Sequence, residues 1–468
     1  MSNSFSTYLN TSLQSNSLAD ISFSTVTLTK SNDQKQLLID SIKEGIKLIH
    51  FESHCFNSHA QESVGEVVNQ LIYDEVLVRD SIYLCLKSGY FDSKYSKGDD
   101  FESRVDSNFI HNLNPEFLKQ DITDSLIRLG LDSIDSYIIQ DPDYFFNRDN
   151  VKKEAKVVQK KLFYDYLLEL FVYLETEVKR GRLSSYGICF DNFVFRDDFV
   201  ELFNVEEFFA LLNNQISNHH FLVFECPFNL IDTHLKTQDN VGSFLAQFKT
   251  NNVFVITNRP FYTHYKNMSF HLSDYPEPEE ISLLEIEDMI HAGIDLEHNL
   301  KQQLTTFEDT QSEVDYLIFF EQLSNYYDST KGILTFQNIV NKGIYPAVEQ
   351  YMNLLQGKSY LNKIHDVVDN YFSYFNFTIK SMTNYLVLLH NSDAFQLKRK
   401  LFELNPNYNP DLQLRSLALS AYRHTPYISS ILLTIESYED LDFVKTELKN
   451  NDLGVINWAY LNKDVVNA

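Results

Sequence analysis

At 468 residues, with 37 Phe and 28 Tyr, the chain can bury a large core in one or two domains and reads as folded rather than disordered. A formal net charge of −26 argues against nucleic-acid binding, which needs Lys and Arg to neutralise phosphates, and against an anionic membrane surface. Four scattered cysteines, Cys55, Cys85, Cys189 and Cys226, form no C-x-x-C pair and indicate a reducing compartment. No apolar run approaches the ~20 residues of a membrane span. The first 19 residues are uncharged and rich in Ser and Asn, without an apolar signal core or the Arg of a standard transit peptide. The expected location is cytoplasmic, with a mitochondrial address as the alternative.

From Leu18 to about Phe261, short apolar runs alternate with amphipathic stretches. Strands are predicted over Asp20–Leu28, Lys47–Phe51, Ile82–Lys87, Ser136–Gln140, Ser185–Phe190, Phe221–Cys226 and Val253–Thr257. Helical patterns lie between them, as in Gln34–Glu44, Ser63–Leu71, Pro115–Leu129 and Lys160–Lys179. Asn114-Pro115 reads as an N-cap followed by Pro at the first helical position, and Gly181 as a helix-ending glycine. From about Tyr262 to Asn409 the alternation gives way to aromatic-rich helical patterns, as in Asp315–Tyr327, Ile344–Leu355 and Asn362–Leu389. It resumes with a helix over Leu412–Tyr422, a strand over Ser429–Thr434 and a helix over Tyr438–Asn450. Strand–helix alternation predicts a parallel sheet covered by helices. The number of units favours a (β/α)8 barrel with a large, mostly helical insertion before the last unit. The expected organisation is an N-terminal extension over 1–17, seven barrel units over 18–261, the insertion over 262–411, and the last unit with a tail over 412–468.

Several segments carry a more specific signal. Asp132-Ser133-Ile134-Asp135-Ser136-Tyr137-Ile138-Ile139-Gln140-Asp141-Pro142 resembles the D-Y-I-D-L-Y-L-L-H-x-P strand of aldo-keto reductases. Gly45-Ile46-Lys47-Leu48-Ile49 resembles that family's G-I-N-F-F, and Leu84-Cys85-Leu86-Lys87-Ser88-Gly89 its I-A-T-K-x-G. Pro115-Glu116-Phe117 with Ser125-Leu126-Ile127-Arg128-Leu129-Gly130 is similar to P-E-x…S-L-x-R-L-G. Gly181 to Ile188 is similar to G-K-I-R-A-I-G-V. The resemblance covers roughly residues 18–261 and 412–450.

The resemblance implies a barrel whose mouth reduces carbonyls with NADPH. A Tyr phenol would donate the proton, an Asp and a Lys would lower its pKa, and a His would orient the carbonyl. Carried over position by position, the family Asp falls on His50 and the Tyr on Cys55. A two-residue slip offers Glu52 as the acid but puts Asn57 at the Tyr position. Lys87 matches the family Lys, and Gln140 stands where the His belongs. The cofactor positions depart in the same way. The first-strand glycines are Ser22 and Ser24, followed by Thr25. The nicotinamide-amide pair Ser and Asn reads Cys189 and Phe190. The supporting Gln is Glu225, and the stacking Tyr is Asn258. The phosphate loop reads Thr434-Ile435-Glu436, where Glu436 would repel phosphate oxygens.

Other chemistries leave weaker traces. His50, His54, Cys55 and His59 gather after the second strand, with Cys85 and Cys189 at neighbouring strands. Their spacing fits no standard zinc pattern, and no metal is expected. The run Tyr371-Phe372-Ser373-Tyr374-Phe375-Asn376-Phe377 reads as packed core or as a partner surface. The leading expectation is a catalytically inactive relative of aldo-keto reductases. It would bind no cofactor and act as a structural or interaction subunit, with the 262–411 insertion covering the barrel mouth and meeting the partner. One alternative is an NADP(H)-dependent oxidoreductase with a rewired site around Lys87 and Gln140. Another is a cofactor-sensing regulatory subunit, similar to the potassium-channel β subunits of the same family.

Overall fold

The computed structural model describes residues 18–52, 59–96, 98, 102–230, 241–265, 268–329, 332–404, 411–423, 425 and 427–449. The chain folds into two units, Met1–Pro260 with Ser416–Asn467, and Phe261–Arg415.

The first unit is a closed barrel of eight parallel strands. They are β1 (Ile21–Ser24), β2 (Leu48–Glu52), β3 (Tyr83–Ser88), β4 (Ile134–Gln140), β5 (Leu183–Cys189), β6 (Phe221–Pro227), β7 (Phe254–Asn258) and β8 (Ser430–Thr434). Each strand predicted from the sequence is present. Helices follow them: α1 (Asn32–Lys43), α2 (Ala60–Tyr73), α3 (Pro115–Leu129), α4 (Lys156–Lys179), α5 (Val205–Gln215), α6 (Val241–Thr250), α7 (Leu414–Arg423) and α8 (Tyr438–Lys449). The starts are set by short polar side chains that satisfy free backbone donors. Ser31 accepts from Gln34 N at 3.3 Å, and Asn114 accepts from Glu116 N at 3.0 Å ahead of Pro115. α3 stops at Gly130, whose φ of 62° is left-handed.

Strands covered on both faces lack a polar side, which is why they read as nearly continuous apolar runs. One set of alternate residues fills the barrel: Leu48, Tyr83, Cys85, Ile138, Cys189, Val223, Ile256 and Leu432 pack together inside. Period-two alternation then carries the next inward positions toward the C-terminal strand ends: His50 and Glu52, Lys87, Gln140, Glu225 and Asn258. Gly187 permits β5 and β6 to close, since a Cβ there would lie 2.1 Å from Val223 O. A three-stranded antiparallel sheet (Tyr90–Asp92, Glu102–Arg104, Phe109–Asn112) follows β3. The sequence reading did not include it.

The second unit has its own core. A hairpin (Tyr262–Tyr265, Met268–His271) precedes helices Leu283–Leu304, Gln311–Tyr316, Phe319–Ser329, Ile333–Ile339, Tyr345–Leu355 and Leu361–Leu404. The helix Leu283–Leu304 was not foreseen. The stretch expected as one helix over Asp315–Tyr327 is two, because the chain leaves helical geometry at Leu317 (φ −83°, ψ 78°). The pattern expected over Asn362–Leu389 continues to Leu404. Tyr371, Phe372 and Phe375 of the aromatic run are buried among Ile286, Phe320 and Phe336, whereas Phe377 is exposed.

Candidate functional site

Glu225 is the hub of the barrel mouth. It projects inward from β6 with no exposed surface. Its Oε2 lies 2.7 Å from His50 Nε2. Its Oε1 accepts from Lys87 Nζ at 3.1 Å and from Asn258 Nδ2 at 2.7 Å. Lys87 has two further acidic neighbours, Glu52 Oε1 at 3.2 Å and Asp191 Oδ2 at 3.8 Å. Asp191 closes the ring: Gln140 Nε2 donates to its Oδ2 at 2.9 Å, and Asn258 Nδ2 to its Oδ1 at 2.8 Å. Residues from β2, β3, β4, β6 and β7 thus meet in one network, and barrel register does the positioning. Glu52 pairs with Lys87, Gln140 with Cys189, and Cys189 with Glu225 across neighbouring strands.

The electrostatics follow from one ammonium among three carboxylates. Burial alone would push Glu225 up, but Lys87 and His50 outweigh it and hold its carboxyl below the ordinary value. Asp191 is held down likewise, against burial, by Lys87 and Arg259. Burial opposes the charge on Lys87, yet Asp191, Glu225 and Glu52 keep it protonated well above its ordinary range. Burial and then Asp191 and Glu225 push the Cys189 thiol up. It remains a thiol, and it donates to Asp191 Oδ1 at 3.5 Å.

A second polar cluster adjoins the first. Asp141, at φ 45°, accepts from Tyr90 OH at 2.6 Å and from Asp191 N at 2.8 Å. His111 Nε2 donates to Gln140 O at 2.8 Å and stacks on Tyr144 with centroids 4.8 Å apart. Burial pushes the His111 pKa down to about 4, so the ring is neutral. Burial and then Asp141 make the Tyr90 phenol a weaker acid than an ordinary tyrosine. A proton-donating phenol needs the opposite environment. The sequence from His50 to His59 contains no Tyr at all.

The remaining candidate residues fall elsewhere or stand apart. Phe190 points into an aromatic cluster with Phe193, Phe203 and Phe224, at centroid distances of 4.9, 5.1 and 5.9 Å. Ser24 and Thr25 are buried at the end of β1, with Thr25 N donating to His50 O at 3.0 Å. Ser24 pairs with Thr434, which is exposed. In the loop after β8, Glu436 is exposed, and its backbone N–H donates to Asp440 Oδ2 at 3.2 Å. Ser437 Oγ donates to the same oxygen at 3.0 Å. These local bonds cap the start of α8. Cys55 and His54 lie outside the described residues, and His59 precedes α2.

Cys189, Asp191 and Glu225 offer ligand atoms within 4.8 Å of one another. The Asn258 amide nitrogen sits among them, bonded to both acids and 3.7 Å from the sulfur. That donor and Lys87 already supply the positive end that a metal ion would. Asp191, Asp141 and Tyr90 escaped the sequence reading. The available signal was an acid two residues past a barrel strand, beside a buried lysine that needs counter-charge.

No protein-family model and no curated protein matches the chain. Among solved structures it is similar to aldo-keto reductase AKR11C1 from Bacillus halodurans, at 11% identity over 94% of this chain and 90% of that one, with a TM-score of 0.46. It is also similar to aldo-keto reductase AKR2E5 complexed with NADPH, at 18% identity over 57% of this chain and 67% of that one, with a TM-score of 0.34. The structural neighbours thus belong to the family whose motifs the sequence resembles. The chemistry of the mouth has to be read from its own residues. No helix among the described residues is long and apolar enough to cross a membrane.

Proposed function

We propose that this chain is a catalytically inactive relative of aldo-keto reductases, without a nicotinamide cofactor, that serves as a structural or interaction subunit of a larger assembly. One observation carries the reading. Lys87, which in the resembled family would tune a phenol, is held by Glu52, Asp191 and Glu225 instead. A lysine held by three carboxylates is poorly placed to stabilise a developing phenolate, and among the described residues no phenol is bonded to it. The residues at the cofactor positions support the same view. Asn258 and Glu225 are bonded to each other rather than open to an amide, and in the loop after β8 Asp440 accepts from the Glu436 N–H. The Phe261–Arg415 unit, which carries its own core, provides the surface for a partner.

The alternatives, a rewired NADP(H)-dependent oxidoreductase or a cofactor-sensing regulator, both require NADP(H) to bind. Isothermal titration of the purified full-length chain with NADPH should therefore give no binding tighter than the millimolar range, and assays with NADPH and aldehydes no turnover. A positioned general acid is worth roughly 10²–10⁴-fold, so its loss is readily seen. A micromolar dissociation constant would favour the regulator, and turnover abolished by Lys87→Met the oxidoreductase. A lone monomer in native extract would sink the assembly reading.

A further inference from the structure

Leu283 and Leu284 open the helix Leu283–Leu304 and both face water, 44% and 65% exposed. The rest of the helix sorts as an amphipathic helix does, with Ile286, Ile290, Gly293 and Leu300 turned inward. The two leucines are not a frayed end. Ser282 Oγ accepts from Glu285 N at 3.3 Å while Glu285 Oε2 accepts from Ser282 N at 2.8 Å, a reciprocal cap. The chain leading in is also pinned. Asn391 exchanges two hydrogen bonds with the Tyr275 backbone, at 3.1 and 3.0 Å, and Lys398 pairs with Asp274 at 2.6 Å. Pro276 and Pro278 restrict the backbone between those anchors and the cap.

The stretch of chain that carries this apolar pair is acidic and has no Lys or Arg of its own over residues 267–300. Glu277, Glu279, Glu280, Glu287 and Asp288 are exposed, and none has a cationic partner among the described residues. Ordered like charges around exposed leucines repel one another until cations arrive.

We propose that this face docks a Lys- and Arg-bearing amphipathic helical segment of a protein partner. Its apolar side chains would cover Leu283 and Leu284, and its cations would meet the surrounding carboxylates, the helix-on-apolar-face mode of recognition. The proposal rests on the assembly reading above and names the partner's chemistry. A second copy of the chain docking symmetrically would bring the same negative charge to the same face and be repelled. Nucleic acid and anionic membrane are repelled likewise.

The test uses the full-length chain and a labelled synthetic peptide of Leu and Lys in helical spacing, read by fluorescence anisotropy. Both Glu277→Lys/Glu279→Lys/Glu280→Lys and Leu283→Ser/Leu284→Ser should weaken binding about tenfold or more. A control charge reversal at exposed acids of the barrel unit, Asp132→Lys/Glu201→Lys/Glu206→Lys, should leave it within about twofold. An equal loss in the control would mean diffuse attraction to an acidic protein and would overturn the proposal. So would binding that survives the leucine changes. In native extract, a partner complex that persists with the 277/279/280 variant would overturn this face and leave the assembly reading standing. A wild-type chain that is monomeric there would fail the assembly reading, while the peptide arm still decides the face.

Discussion

Two buried glutamates, one in each unit, have come to similar ends by different routes. Glu297, in the helical unit, accepts from Phe320 N at 2.8 Å and from Tyr371 OH at 2.6 Å, and Lys301 lies 3.7 Å away. Its partners are a helix start and a core phenol, so it ties helices together. Glu225, at the barrel mouth, is bonded to a lysine, a histidine and an amide, the kinds of side chain that bind ligands. The contrast lies in the partners that each buried carboxylate has. Polar residues that strand register brings to the barrel mouth are bonded to one another there, acid to base and amide. A buried ion pair of this kind is weak evidence of net stabilisation, but removing one partner leaves uncompensated charge.

The sharpest way to break the comparison is Lys87→Met. If the mouth is now structural, this change strands Glu225, Asp191 and Glu52 without their cation and should destabilise the barrel by about 3–5 kcal/mol. The urea midpoint would fall with an unchanged slope. Glu297→Gln keeps one oxygen to accept from both Phe320 and Tyr371 and gives up only charge assistance, so about 1–3 kcal/mol is expected. A Lys87→Met protein as stable as the parent, or more so, would mark a mouth still strained for a ligand, as functional sites often are.

Glycines sharpen the comparison at the level of packing. A Cβ at Gly187 would lie 2.1 Å from Val223 O, where backbone meets backbone in the closed sheet. A Cβ at Gly293 would lie 2.0 Å from the Phe320 ring, a side chain rather than backbone. Gly187→Ala should therefore cost about 3 kcal/mol or more and Gly293→Ala about 1–3 kcal/mol, measured by the same denaturation. The reverse order would mean that the helical core is packed more rigidly than the barrel wall.

The barrel was legible because buried parallel strands and their capped helices leave strong local marks, as Asn114-Pro115 and Gly130 do around α3. Motif resemblance then located Lys87, Gln140, Glu225 and Asn258 at strand ends. It did not show that they bond to one another, because such contacts join residues such as His50 and Glu225, 175 positions apart. Asp191 was missed for the same reason: it lies past its strand and gains meaning only beside Lys87. In the helical unit, amphipathic spacing found most helices. It could not find the break at Leu317, where no Pro or Gly marks the turn, nor the sheet after β3, whose strands are very short.

Acid titration is the gentlest probe of the same contrast. Glu225 and Asp191 have folded pKa values below their ordinary 4.5 and 3.8, so their contribution is complete above those values and is lost as pH falls through the folded ones. Asp143 works in the opposite sense. Burial raises it to about 7, so the folded state holds a proton that the unfolded chain has released, and stability falls as pH rises from about 4 to 7. The barrel should therefore be most stable between these two effects, near pH 4–5. It should weaken gradually toward neutrality and more steeply in acid. Urea midpoints across pH 3–8 would show this maximum. Asp143→Asn should lessen the neutral-side decline and leave the acid-side loss in place, with the remainder due to Asp141, which burial and then Asp191 and Asp143 raise as well. A decline unchanged in that variant would mean that Asp143 does not hold the proton.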